Sequence, residues 1–213
     1  MTTLAQHPPT IRPRPLLDRP RLRLFTLDEF DDMVARGMFK GERVHLLNGK
    51  IIVMPSQLEP HVIAITKSRK ALERAFGSGY HVRVNGTLRL SKLNAPDPDV
   101  SVVEGDEDSW ANRGNPTTAL LVVEVSNTTL ADDRGEMARI YASAGVADYW
   151  IVNIPDRQVE VFRAPVVDTA SDTGWSYPAP QIIPADGSVT PLAKPDVSIA
   201  VAELLPKMAG TGL

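Results

Sequence analysis

The chain has 213 residues, 43% hydrophobic and 23% charged, long enough to bury one substantial core. It has no cysteine, which excludes disulfides, thiolate catalysis and cysteine zinc sites. No apolar run approaches the roughly 18 residues of a membrane span, and a formal net charge of −3 does not announce a general polyanion binder. A cytoplasmic protein with no membrane association is the expectation.

Charge is unevenly spread. Residues 1–24 carry Arg12, Arg14, Arg19, Arg21 and Arg23 against the single acid Asp18, among five prolines. This composition predicts an extended or disordered arm, able to touch phosphates but reading first as a solvated leader. Residues 25–206 are expected to form the domain, and 207–213 a tail.

Thr26 followed by Glu29 forms a capping-box pattern that starts a short helix. "RVHLLNGKIIVMP" (Arg43 to Pro55) reads as two strands turning at Asn48-Gly49. A second helix is expected from Pro60, with Val62, Ile65, Leu72 and Phe76 on one face and Lys67, Lys70 and Arg74 on another. "HVRVNGTLRL" (His81 to Leu90) alternates as a strand does. "DVSVVEG" and "ALLVVEVS" are β-branched runs of the kind found at a sheet centre. "ADDRGEMARIYASAG" predicts a helix ending at Gly145. "ADYWIVN" and "QVEVFRA" predict a strand pair across "IPDR", residues 165–184 look like loop, and "VAELLP" closes the domain. The sum is an α/β or α+β domain, a mixed central β-sheet flanked by helices.

Two acids stand out against this pattern. Asp99 sits at the start of one central strand and Glu124 lies inside the other. An ionised carboxylate in such a run costs several kcal/mol unless something offsets it. A lysine or arginine partner is one answer. The other is Mg²⁺ or a similar ion, held by both acids if their strands adjoin. After the similar phrase "KPDVSIA" near the end, no later strand offers an embedded acid followed by a helix, so Asp196 reads as a turn residue. Asp97, between two prolines, reads the same way.

"PDPDVSVV", "LLVVEVSNTTLADDRG", "YASAGVADYWIVN" and "VEVFRAP", in that order, resemble the Uma2 family, formerly a domain of unknown function. The resemblance spans about residues 25–206. It implies the PD-(D/E)XK restriction-endonuclease-like fold, with Asp99 and Glu124 as the acids that hold Mg²⁺ or Mn²⁺. It also implies phosphodiester hydrolysis, with nucleic acid, DNA foremost, as partner. A homodimer would suit double-strand cutting. Two family residues differ here. His45 stands where members often have a glutamate and becomes an auxiliary metal ligand, imidazole suiting Mn²⁺ better than Mg²⁺. Met137 stands where the lysine is expected, and Ser126 occupies the other position for it. Arg134, three residues before Met137 on nearly the same helix face, is the expected stand-in. His61 matches a family histidine whose role the sequence does not give. The rival readings are a catalytically degenerate protein that binds nucleic acid or a protein partner without cleaving, and a hydrolase using Asp99 and Glu124 as an acid/base pair.

Overall fold

The structure, a computed structural model, describes residues 20–207. Residues 1–19 of the expected arm, and residues 208–213 of the expected tail, lie outside the described part. Helix α1 (Leu27–Ala35) begins with the anticipated capping box: the Thr26 hydroxyl accepts from Glu29 N while the Glu29 carboxylate accepts from Thr26 N. Strands β1 (Arg43–Leu47) and β2 (Lys50–Met54) close through Asn48 and Gly49, both at positive φ, as a two-residue hairpin turn requires. Helix α2 (Glu59–Phe76) follows. Its buried face is Ala64, Ile65, Ala71, Leu72 and Phe76, whereas Val62 is exposed. Lys67 of the expected solvated stripe instead donates to the Leu205 carbonyl, and Arg74 pairs with Glu203.

Strands β3 (Tyr80–Val84), β4 (Val100–Glu104), β5 (Leu121–Ser126), β6 (Asp148–Asn153) and β7 (Gln158–Arg163) build most of the central sheet. Its order is β10-β7-β6-β5-β4-β3, with β5 and β6 parallel and all other neighbours antiparallel. The stretch 165–184, expected as loop, contains β8 (Val166–Val167), β9 (Trp175–Ser176) and β10 (Gln181–Pro184). Strand β10 is the edge of the main sheet. Proline at its end is tolerated because an edge strand does not need every N–H. Strands β11 (Ser188–Val189) and β12 (Ile199–Ala200) and helix α5 (Val201–Leu204) finish the chain.

The parallel pair is joined by a helical stretch with a local defect. Helix α3 (Leu130–Asp132) runs into a π-helical turn (Asp133–Met137) and then α4 (Ala138–Ser143). Alternation along the strands divides the core in two. Val123, Val125, Trp150 and Val152 pack toward α2 and α5; Val122, Tyr149 and Ile151 pack toward α4 with Ile140, Tyr141 and Leu47. Glu124 has the parity of Val122, so its carboxyl enters the α4 side. Among the described residues, no helix is long and apolar enough to cross a membrane.

A candidate active site of paired acids

Strands β4 and β5 are antiparallel, so the start of one meets the end of the other. Val100 pairs with Val123, and the next rung places Asp99 beside Glu124 although they are 25 residues apart. Each carboxylate is held by the other residue's strand. Asp99 N donates to Glu124 Oε2 at 3.1 Å, and Val125 N donates to Asp99 Oδ2 at 2.8 Å. Both side chains are buried.

A pocket opens over them, lined also by His45, Gln57, His61, Asp97, Asp133 and Met137. His61 Nε2 lies 2.8 Å from Asp99 Oδ2, and Gln57 Nε2 donates to Asp99 Oδ1 at 3.2 Å. On the far side, the Tyr141 hydroxyl donates to Glu124 Oε1 at 2.6 Å. Asp133, on the π-helical turn, accepts from the Thr129 hydroxyl at 2.7 Å. Sequence reasoning missed Asp133, Gln57 and Tyr141, and left His61 without a role.

The pocket has an excess of negative charge. Burial, then the neighbouring Asp99 and Asp133, push the Glu124 carboxyl well above the usual carboxylate range, against the pull of the Tyr141 hydroxyl. Burial likewise raises Asp133 to about 6. His45 is buried with neither ring nitrogen hydrogen-bonded, and its Nε2 is 3.6 Å from Asp97 Oδ2. Burial lowers its pKa, which favours the neutral imidazole with a free lone pair.

Arg134 does not join this group. Its guanidinium grips Glu160 of β7 through two bonds, Nε to Oε2 at 2.7 Å and Nη2 to Oε1 at 2.6 Å. Glu124 pairs with Ile151, and Ile151 with Glu160, so the two glutamates share a sheet face two strands, about 10 Å, apart. The guanidinium thus satisfies the wrong glutamate for a lysine substitute. Met137 does line the pocket, as an apolar wall, and Ser126 is fully buried.

Among the described residues, no three His, Asp or Glu side chains are grouped closely enough to hold a metal ion as they stand. The donor chemistry still fits a hard divalent cation. Neighbouring carboxyls oppose the ionisation of Glu124 and Asp133, the relation that a cation reverses, and an orphaned imidazole borders them.

The mixed central sheet flanked by helices is a restriction-endonuclease-like fold, and two buried acids lock across its antiparallel strands at the mouth of a pocket. The chain belongs to the Uma2 family, described as "Putative restriction endonuclease", which it matches over residues 27–202. Its fold is similar to that of a crystal structure described as a putative nuclease belonging to DUF820 from Anabaena variabilis ATCC 29413. That match has a TM-score of 0.63 and 14% identity, covering 84% of this chain and 97% of the other. No curated protein matches the chain.

Proposed function

We propose that the protein is a metal-dependent nuclease that hydrolyses phosphodiester bonds, with DNA as substrate. The observation that carries this reading is the reciprocal lock of Asp99 and Glu124, each pinned by the other's strand at the mouth of one pocket. Asp99 and Glu124 would hold Mg²⁺ or Mn²⁺, with His45 at the border of the site. Asp133 is the added candidate. The ion would polarise the phosphoryl group and lower the pKa of a bound water. The chain's own residues do the positioning: the Val125 N–H and His61 meet Asp99 at Oδ2, Gln57 donates to its Oδ1, and Tyr141 fixes Glu124. Arg134, engaged by Glu160, is left out of the chemistry.

A second reading is favoured by Met137. A thioether neither orients water nor stabilises developing charge, so the scaffold could bind nucleic acid without cutting it. The two readings separate in one assay. Supercoiled plasmid and single-stranded DNA are incubated with Mg²⁺ or Mn²⁺ and the parent, Asp99→Ala, Glu124→Ala or Met137→Lys. Cleavage by the parent, lost at least 100-fold in either alanine variant, is the expected outcome. Activity only in Met137→Lys marks a decayed site on an intact scaffold. Silence in every variant, with DNA retained in a shift assay, sinks the nuclease reading in favour of the binding one. A homodimer belongs to the proposal, and sedimentation of the parent checks it.

A further inference from the structure

We propose that Arg43 and Arg83 form a phosphate subsite beside the acid pocket, taking a backbone phosphate adjacent to the scissile one in a nucleic-acid strand. The inference rests on the nuclease reading and deepens it. Asp97, Asp99, Glu124 and Asp133 all line the pocket, so an approaching polyanion meets concentrated negative charge. With Met137 in the lysine's place and Arg134 engaged elsewhere, something else must anchor the strand.

Arg43 is the one lysine or arginine lining that pocket among the described residues. It is exposed on the first residue of β1, and among the described residues its guanidinium donates only to Asn85 Oδ1, at 3.3 Å. Arg83 lies on β3, half-buried. It donates to the Thr87 carbonyl at 3.1 Å and to Asn115 Oδ1 at 3.2 Å. Its guanidinium lies against Gly86, where an added Cβ would fall 2.9 Å from Nη2. Among the described residues both guanidinium groups therefore hydrogen-bond only neutral oxygens, with the Asp97 carboxylate acting on Arg83 through space and not as a hydrogen-bond partner. Two other arginines meet buried carboxylates, Arg134 on Glu160 and Arg163 on Asp148, while Arg157 bonds the Pro206 carbonyl. A guanidinium held in place with no carboxylate bonded to it is what a phosphate completes, since its planar fork matches two phosphate oxygens.

Position ties the pair to the acids. Asn85, the residue that Arg43 touches and that follows Val84 out of β3, donates its backbone N–H to the Asp99 carbonyl at 3.2 Å. Asn85, bonded to Arg43 and two residues after Arg83, is thus one strand spacing, about 5 Å, from the strand that starts at Asp99.

The test is fluorescence anisotropy of a labelled oligonucleotide in Ca²⁺ across a salt series. It uses the parent, Arg43→Ala, Arg43→Lys, Arg43→Glu, Arg83→Ala and, as control, Arg139→Ala, whose guanidinium is already paired with Asp172. Plasmid cleavage is measured alongside. Arg43→Ala and Arg83→Ala should each weaken binding and lower the slope of log K against log salt by about 1. Arg43→Lys should keep the slope, Arg43→Glu should lose more affinity than Arg43→Ala, and Arg139→Ala should match the parent. Because Arg43 is exposed, its variants report on binding even if Arg83→Ala fails to fold. Slopes unchanged in both Arg43→Ala and Arg43→Glu while the parent still cleaves would overturn the subsite and spare the nuclease. Slopes that drop as expected in a parent that never cleaves would spare the subsite and remove the nuclease. A parent that binds no oligonucleotide at low salt overturns the subsite whatever the cleavage result. Displacement by inorganic phosphate far below the concentration at which its ionic strength acts would reassign the arginines to a free phosphate and overturn the strand assignment.

Discussion

Glu124 and Glu160 show how a shared environment can give opposite chemistry to one residue type. Both lie on the α4 face of the sheet. Although burial favours a neutral Glu160, bonds from Arg134, Asn153 and Gln158 hold its pKa below the usual value. Glu124 receives a tyrosine hydroxyl and a backbone N–H but no cation, and its pKa rises. Asp133 beside it rises from 3.8 to about 6. A carboxyl whose folded pKa is raised favours the folded state most when protonated. Its contribution is complete below the unfolded value of 3.8 and is lost as pH climbs through about 6. A shift of that size corresponds to on the order of 3 kcal/mol. In EDTA, the melting temperature of Asp133→Asn should therefore exceed that of the parent near neutral pH and converge with it toward about pH 4. Parallel melting curves across that range would show that Asp133 carries no such strain. Asp99 and Glu124 were legible in the sequence because a charge inside a β-branched run is conspicuous. Glu160, in "QVEVFR", offered the same signal, and reading it would have predicted where Arg134 goes. Asp133 looked like an ordinary acid in the first turn of a helix, and Gln57 like part of a polar loop; neither breaks a pattern.

At the scale of elements, the β1–β2 hairpin is a wall of the pocket, and its turn is bound on several sides. Asn48 N donates to Asn94 Oδ1 at 2.7 Å, Asn48 Nδ2 to Glu136 Oε1 at 2.9 Å, and Gly49 N to the Leu93 carbonyl at 2.9 Å. The turn thereby fixes both His45, three residues upstream, and the π-helical turn that carries Asp133. At Gly49, φ is +72° and an added Cβ would lie 2.7 Å from Leu24 Cβ and 3.1 Å from the Phe25 carbonyl. Gly49→Ala combines left-handed strain of about 1–2 kcal/mol with that clash. A melting temperature lowered by roughly 4–8 °C is expected in a scanning melt, at 2–4 °C per kcal/mol for a chain of this size. A change within a degree or so would mean that the arm yields and the turn is not tightly seated. The Asn-Gly pair made this hairpin readable from sequence. The π-helical turn was not readable, because a single extra residue per turn shifts the helical phase without altering composition. Strand β10 escaped for a related reason: prolines surround it, and its pairing to β7 depends on a partner about 20 residues earlier rather than on its own alternation.

For the whole molecule, the topology decides which charges meet. An antiparallel β4–β5 pair brings acids from distant parts of the sequence onto one rung, while the parallel β5–β6 crossover returns the helix carrying Tyr141 and Asp133 over the same spot. Family resemblance anticipated this core, and alternation anticipated its central strands. What neither specified was the balance of charge inside the pocket, which depends on distances across the sheet. That balance makes metal affinity and protonation competitors for the same oxygens. Mg²⁺ or Mn²⁺ at a hundred times its dissociation constant should stabilise the protein by about 2.7 kcal/mol, or roughly 5–10 °C in melting temperature. The gain should be large near pH 8 and small near pH 5, where protons already neutralise Glu124 and Asp133. Glu124→Gln should abolish most of the gain at either pH. It should also flatten the pH dependence of the melting temperature in EDTA, since a neutral amide cannot take on the charge that burial opposes. If neither ion shifts the parent's melting curve at about pH 8, the acids form a structural cluster and not a cation site. The hydrogen bonds from the Asp99 and Val125 N–H groups and from the Thr129 and Tyr141 hydroxyls would then be what holds the three acids in place.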